Sequence, residues 1–179
     1  MKSSHNTTSE TPKAAVALIQ ARDSSEILIL KRAEHPNDPW SGHLALPGGR
    51  YEEEDQDLCA TSIRETYEEC GLTLKREECI SEMGIFFAGH YIRKNPIPVM
   101  VYAFEIPSSR VDLKLDPKEV AASYWVKESS LNDFSQHELH AFYPDQPSIK
   151  KPAIKIEGTF LWGFTYNVIK QHYKWPNIE

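Results

Sequence analysis

Between residues 48 and 71 the chain reads GGRYEEEDQDLCATSIRETYEECG, and this stretch limits the fold more than any other. Two adjacent glycines open it and Gly71 closes it. Within it, Cys59, Ile63, Thr66, Tyr67 and Cys70 recur at about 3.6 residues per turn, which predicts a helix over residues 57–70 with a buried stripe and a glycine stop. A single amphipathic helix must bury its stripe against another layer. Strand patterns supply one. Residues 14–20 (AAVALIQ) read as a buried strand. Asp23-Ser24-Ser25 is turn chemistry, and residues 26–32 (EILILKR) alternate like the returning strand of a hairpin. Residues 34–42 form a loop, 43–46 a short extended piece, and 80–88, 98–106 and 121–126 further strands. Residues 129–139 read as one or two helical turns, and 158–172 as an aromatic-rich helix. Repeats and low-complexity linkers are absent, so residues 1–12 are a polar tail and 13–179 one α/β domain.

The helix carries an electrostatic conflict. Glu65, Glu68 and Glu69 stand at i, i+3 and i+4 and converge on a face opposite the apolar stripe. Like charges at that spacing destabilise a helix by roughly 0.2–0.5 kcal/mol per pair. A hard divalent cation, Mg²⁺ above all, offsets the repulsion, because it takes oxygen ligands and leaves room for water and phosphate. Arg64 is placed to brace the carboxylates with its forked donors. Gly48 and Gly49 then give the backbone a tight path and let an amide or carbonyl come close to metal and phosphate. The plain alternative is a solvated acidic helix after an ordinary turn.

The rest of the composition narrows the function classes. A formal net charge of -6 argues against a general nucleic-acid surface, though a small anionic substrate is acceptable where a metal screens the site. Three cysteines without a CxxC pair argue against a disulfide framework or structural zinc, and fit a reducing cytoplasm. Neither a membrane-length apolar run nor a signal-peptide core is present.

The acidic segment resembles the Nudix box of the Nudix hydrolases, G-x5-E-x7-R-E-U-x-E-E-x-G-U, with U apolar. Gly49, Arg64-Glu65, Glu68-Glu69, Gly71 and Leu72 match it. Asp55 stands at the first acidic position, with eight residues rather than seven before Arg64, and Thr66 at the first U. This D-x8-RE form is similar to the coenzyme A pyrophosphatase-like branch, as are WSGHLALPGG ahead of the box and WGFTY near the C-terminus. The branch's fuller coenzyme A signature is matched in part: no arginine lies between residues 34 and 41, and Leu46 stands where Phe is usual.

The resemblance implies an α/β/α sandwich with a mixed central sheet. It also implies Mg²⁺-dependent hydrolysis, with Mn²⁺ able to substitute, of a nucleoside diphosphate linked to another moiety. It makes Glu65, Glu68 and Glu69 metal ligands, with the Gly48 carbonyl beside them and Arg64 orienting the cluster. Asp55 takes the part of the missing glutamate. Glu119, in DPKEVAASYWV just before a strand, is similar in position to the loop acid that completes the metal site or serves as base in several Nudix enzymes. On the residues alone, Arg32 meets a phosphate or braces a strand. Gly49 lies where substrate approaches. Phe86, Phe87 and Tyr91 stack on a base or pack in the core. His43 is structural, His137 and His140 are a surface pair, and the aromatics near Trp162 form a core face or a homodimer contact. The competing class is a Nudix-like module that binds a nucleotide or protein without turnover; it would be expected to lose a carboxylate or the arginine, and all four remain.

Overall fold

A computed structural model describes residues 11–36, 38–89, 95–108 and 112–178. Its centre is a mixed sheet. β1 (Ala14–Ala21) and β2 (Glu26–Arg32) form the expected hairpin, Gln20 opposite Ile27. β6 (Ile97–Ile106) runs parallel to β1, and β5 (Cys79–Ala88) pairs antiparallel with β6 at one edge. β7 (Val120–Lys127) pairs with β2 at the other edge. Two short strands, β3 (Leu44–Ala45) on β2 and β4 (Gly48–Arg50) on β1, bring the glycines to the sheet.

Both faces of the sheet are covered. Ile27, Leu28, Ile29 and Leu30 of β2 are therefore all buried, in place of the alternation expected of that strand. On one face lies α1 (Leu58–Cys70), packed through Cys59 and Cys70 onto Ala15, Ala17, Leu28 and Phe104. On the other lies α3 (Gly163–Tyr173) with a three-stranded sheet of β8 (His137–Ala141), β9 (Lys150–Ile156) and β10 (Thr159–Trp162). Tyr166, Val168, Ile169, Ile154 and Leu161 fill the core there against Leu18, Ile29 and Val101. Each Leu or Ile so buried contributes about 1.5–3 kcal/mol. The α/β sandwich is the architecture expected from the sequence.

Several expectations are corrected by the chain's own chemistry. Residues 158–172 are not one helix. Glu157 and Gly158 both have positive φ (45° and 79°) and join β9 to β10 as a two-residue hairpin turn, so the helix begins only at Gly163. Residues 129–139 hold α2 (Glu128–Leu131) and a 3₁₀ turn at Phe134–Gln136, but His137 starts a strand. His137 is buried, not a surface residue: its Nε2 bonds the Leu131 carbonyl and its Nδ1 the Tyr166 hydroxyl, each at 2.8 Å. The buried stripe of α1 also differs. Tyr67 is 59% exposed and Glu69 only 5%. Small hydroxyl residues fill the stripe instead, with Ser62 Oγ donating to the Cys59 carbonyl and Thr66 Oγ1 to the Ser62 carbonyl.

Candidate active site

α1 holds its carboxylates in fixed places because both its ends are capped. The Asp57 side chain accepts from the Ala60 N–H at 2.9 Å, and Gly71, at φ 69°, returns its N–H to the Tyr67 carbonyl. The segment before β7 then lies along the C-terminal end. Lys114 and Asp116 donate backbone N–H groups to the carbonyls of Cys70 and Glu69, satisfying acceptors the helix leaves open.

Arg64 is the hub. Its Nε and Nη2 donate to the two oxygens of Asp55 at 2.9 and 3.0 Å, its Nη1 to Glu68 at 2.8 Å, and its Nη2 also to the Arg50 carbonyl. Nη1 lies 3.2 Å from Glu65. The Asp55 side chain is 4% exposed and also accepts from Thr61 and the Glu52 N–H. The Arg64 bonds lead in holding its carboxyl down at about 2, against the cost of burial. The same partner raises the Arg64 pKa further above its ordinary value. Arg64 thus links the loop after the glycines, through Asp55 and the Arg50 carbonyl, to Glu65 and Glu68 of the helix.

The glutamates differ among themselves. Glu68 is half-exposed and engaged by Arg64. Burial raises the Glu65 pKa, opposed by Arg64, with Glu68 and Glu119 adding to the rise. Glu69 is buried; desolvation pushes it up to about 8, opposed by the Gly48 N–H at 2.9 Å and the charge of Arg32, with Glu65 and Glu119 adding repulsion. The expectation that all three lie on a face away from the core therefore fails for Glu69. Glu119 sits in an exposed turn held by its N–H to Asp116 and its carbonyl to Ala33, and its charge reaches both Glu65 and Glu69.

The glycines are required by contact. A Cβ on Gly48, at φ 147°, would stand 2.3 Å from the Ala15 carbonyl oxygen, and one on Gly49 would stand 2.4 Å from the Glu65 carboxylate. Their smallness brings β4 against β1 on one side and Glu65 on the other. Arg32 donates through Nε and Nη2 to Asp38, a partner that sequence reasoning missed because it comes from an irregular loop six residues on. His43 lies between this pair and Trp162, 5.2 Å ring to ring, and burial lowers its pKa. Phe86 packs on Phe164 of α3, while Phe87 is 51% exposed; Tyr91 lies outside the described residues. Trp162 stacks on Phe142 within the chain.

The donor chemistry fits a hard divalent cation. Glu65, Glu68, Glu69 and Glu119 offer only oxygens, and their crowding with one arginine at the centre leaves negative charge that a cation relieves. Among the described residues no three acidic, histidine or cysteine side chains are already disposed to hold an ion together, and Glu68 points to Arg64. No described helix is long and apolar enough to cross a membrane.

Comparison with known proteins agrees with this geometry. Uncharacterized Nudix hydrolase NudL of Yersinia pestis is 24% identical over 168 residues, covering 93% of this chain and 81% of that protein. Nudix hydrolase 15, mitochondrial, of Arabidopsis thaliana is 33% identical over 89 residues, 48% of this chain. The chain spans 31% of the length of that plant protein and 16% of a fission-yeast relative. The crystal structure of a MutT/nudix family protein from Enterococcus faecalis shares the fold, with a TM-score of 0.59 at 16% identity over 92% of this chain and 62% of that one. The sequence model of the NUDIX domain matches residues 11–146, most of the chain and all of the carboxylate cluster, so the chain belongs to the NUDIX domain family.

Proposed function

We propose that the protein is a divalent-metal-dependent pyrophosphatase that hydrolyses the diphosphate linkage of a nucleoside diphosphate derivative, a nucleotide or a coenzyme A-like compound. The observation that carries this reading is the Arg64 hub: one guanidinium within 4 Å of Asp55, Glu65 and Glu68, beside a buried Glu69 on the Gly48 N–H. A module kept for binding alone would be expected to lose a carboxylate or the arginine, and Glu65, Glu68, Glu69 and Arg64 are all present.

Glu65, Glu68 and Glu69, with the Gly48 carbonyl, would hold Mg²⁺ or Mn²⁺. The bound ion would neutralise the diphosphate and lower the pKa of water. Arg64 keeps the carboxylates oriented through Asp55. Glu119 accepts the proton of the attacking water, whose oxygen bonds to phosphorus as the bridging P–O bond breaks. Gly49 leaves space for the phosphate chain. Arg32 meets a phosphate oxygen, and its bond to Asp38 sets its reach. Phe87 contacts the organic part of the substrate. Among the structural neighbours, the NUDIX domain of Shewanella oneidensis NrtR is complexed with ADP ribose, a compound of this chemical class.

The test is a panel of diphosphate-linked substrates with Mg²⁺: ADP-ribose, dinucleotides, nucleoside triphosphates and coenzyme A, with products identified by mass. Cleavage at a diphosphate bond, lost in Glu68→Gln, is the expected result. Binding without cleavage across the panel would establish the non-catalytic alternative.

A further inference from the structure

The first turn of α1 and the start of β5 meet on the sheet face under the helix, and each brings a cysteine. Cys79 opens β5 opposite Phe104 of β6, and paired residues of neighbouring strands point to the same face. Phe104 is fully buried in the α1 core, where Cys59 also lies, and Cys79 packs against that core from the edge. A bulge between Cys79 and Ser81 leaves Ile80 outside the ladder and exposed, while Cys79 keeps its place. The two segments are tied a second time. Arg76, three residues before Cys79, donates through Nη1 and Nη2 to the two oxygens of Asp57, the helix cap two residues before Cys59. Tyr102 of β6 completes the cluster: burial, with the charges of Glu82, Cys59, Asp57 and Cys79, pushes its hydroxyl up to about 12.

The three cysteines divide by place. Cys70, at the far end of α1, is buried and bonds the Thr66 carbonyl, about 16 Å along the helix axis from Cys59. Cys59 is buried, whereas Cys79 reaches solvent in part. Burial leads in pushing the Cys59 thiol up to about 11, and Cys79 adds to the rise both as a charge and as a hydrogen-bonding neighbour. Two thiols on adjoining segments act on each other here, and one of them meets solvent.

We propose that Cys59 and Cys79 form a reversible dithiol–disulfide site, at which a peroxide joins the first turn of α1 to β5. Cys79 is the half that the peroxide reaches. Its thiolate sulfur takes one oxygen as the O–O bond breaks, giving a sulfenic acid and a hydroxide that is protonated to water. The Cys59 sulfur then attacks that sulfur, the S–O bond breaks, and the hydroxyl leaves as a second water with the Cys59 proton. Two thiols lose two electrons and two protons, and one peroxide becomes two waters; a small thiol reductant reverses the change. The bond closes the segment from residue 59 to residue 79, which carries Glu65, Glu68 and Glu69, and adds a covalent link where the Arg76–Asp57 pair already joins its ends. Its effect is on the unfolded chain, which loses freedom when the loop is closed. The site stands apart from the diphosphate reading and is tested without it.

The experiment is a peptide map of the full chain, folded, before and after hydrogen peroxide. Trypsin cuts after Arg64 and Lys75 and so places the three cysteines on separate peptides. A linked Cys59–Cys79 pair, lighter by two hydrogens than its two peptides and released by dithiothreitol, is the expected result. The oxidised protein should melt about 5–10 °C above the reduced one, the shift for closing a loop of this length in a chain of this size, and reduction should reverse the gain. Cys70→Ala should keep both the link and the gain, and Cys79→Ser should lose both. The link is read in the wild-type chain, so the result stands whether or not a variant folds. Over-oxidation of Cys79 with no linked peptide, a disulfide through Cys70 or between two chains in its place, or a Cys59–Cys79 bond that leaves the melting temperature unchanged would each overturn the site.

Discussion

Replacing Asp55 by Asn changes one charge and almost no volume, and the structure says how much that charge is worth. Asp55 accepts from Thr61, the Glu52 N–H and Arg64 Nη2 on one oxygen and from Arg64 Nε on the other. An Asn keeps the first set by placing its carbonyl there, but its amide then confronts Arg64 Nε donor to donor. Loss of a hydrogen bond to a charged group costs about 1.5–3 kcal/mol. Linkage gives a similar figure: a carboxyl moved from 3.8 to about 2 stabilises the fold by roughly 2 kcal/mol at neutral pH. For a chain of this size the melting temperature should fall by about 5–10 °C. The folded pKa is depressed, so the stabilisation is complete above the unfolded value near 3.8 and is lost as pH falls toward 2, with about half gone at pH 3. Urea unfolding of both proteins from pH 7 to pH 3 reads this directly. The stability gap should be constant down to about pH 5 and shrink by half at pH 3. A gap under about 0.5 kcal/mol at pH 7, or one that ignores pH, would refute the hub.

Chelation with EDTA should abolish hydrolysis, and Mg²⁺ or Mn²⁺ should restore it; full turnover with negligible metal content would exclude the proposed chemistry. Glu68→Gln, at a half-exposed position, should shift stability by no more than about 1 kcal/mol while turnover falls at least a hundredfold. Glu69→Gln should lose turnover equally, yet its melting temperature in EDTA should be no lower than wild type, because burial disfavours the carboxylate and a neutral Gln needs no proton uptake on folding; a marked destabilisation would show that the carboxyl group itself holds the fold. Glu119→Gln should lower kcat about a hundredfold with little change in KM, and kcat within about twofold of wild type would take Glu119 out of the reaction.

What could be read in the sequence follows the range of the interactions involved. α1 was legible because its 3.6-residue recurrence and its Gly71 stop are local, although its cap at Asp57 was read as the first helical residue. The longer strands of the central sheet were legible because they are apolar runs bounded by turns, whereas β4, Gly48–Arg50, was read only as a tight glycine turn. β9 was not, since KKPAIKI carries three lysines and a proline and owes its place to β8 and β10 on either side. The turn at Glu157-Gly158 lacks the usual Asn or Asp, so the aromatics after it looked helical. The burial of Glu69 and His137 is tertiary: one is covered by the β4 loop and the segment before β7, the other by Tyr166 and Trp175 from the far end of the chain.

The two departures from the box pattern have physical answers in one place. Asp is one methylene shorter than Glu, so a carboxylate at residue 55 must start closer to Arg64 to reach it. The additional residue before Arg64 leaves Asp55 outside the helix, in a turn where its N–H meets the Glu52 carbonyl and its side chain turns back under Thr61, while Asp57 takes over as helix cap. The second departure, Thr66, lies on the buried side, where its hydroxyl is spent on the Ser62 carbonyl and only its methyl adds to the packing. Asp55 therefore meets Arg64 through both of its oxygens from a position outside the helix. Residue 55 could be suspected from sequence, while its 2.9 Å and 3.0 Å bonds to Arg64 could be read only from the folded chain.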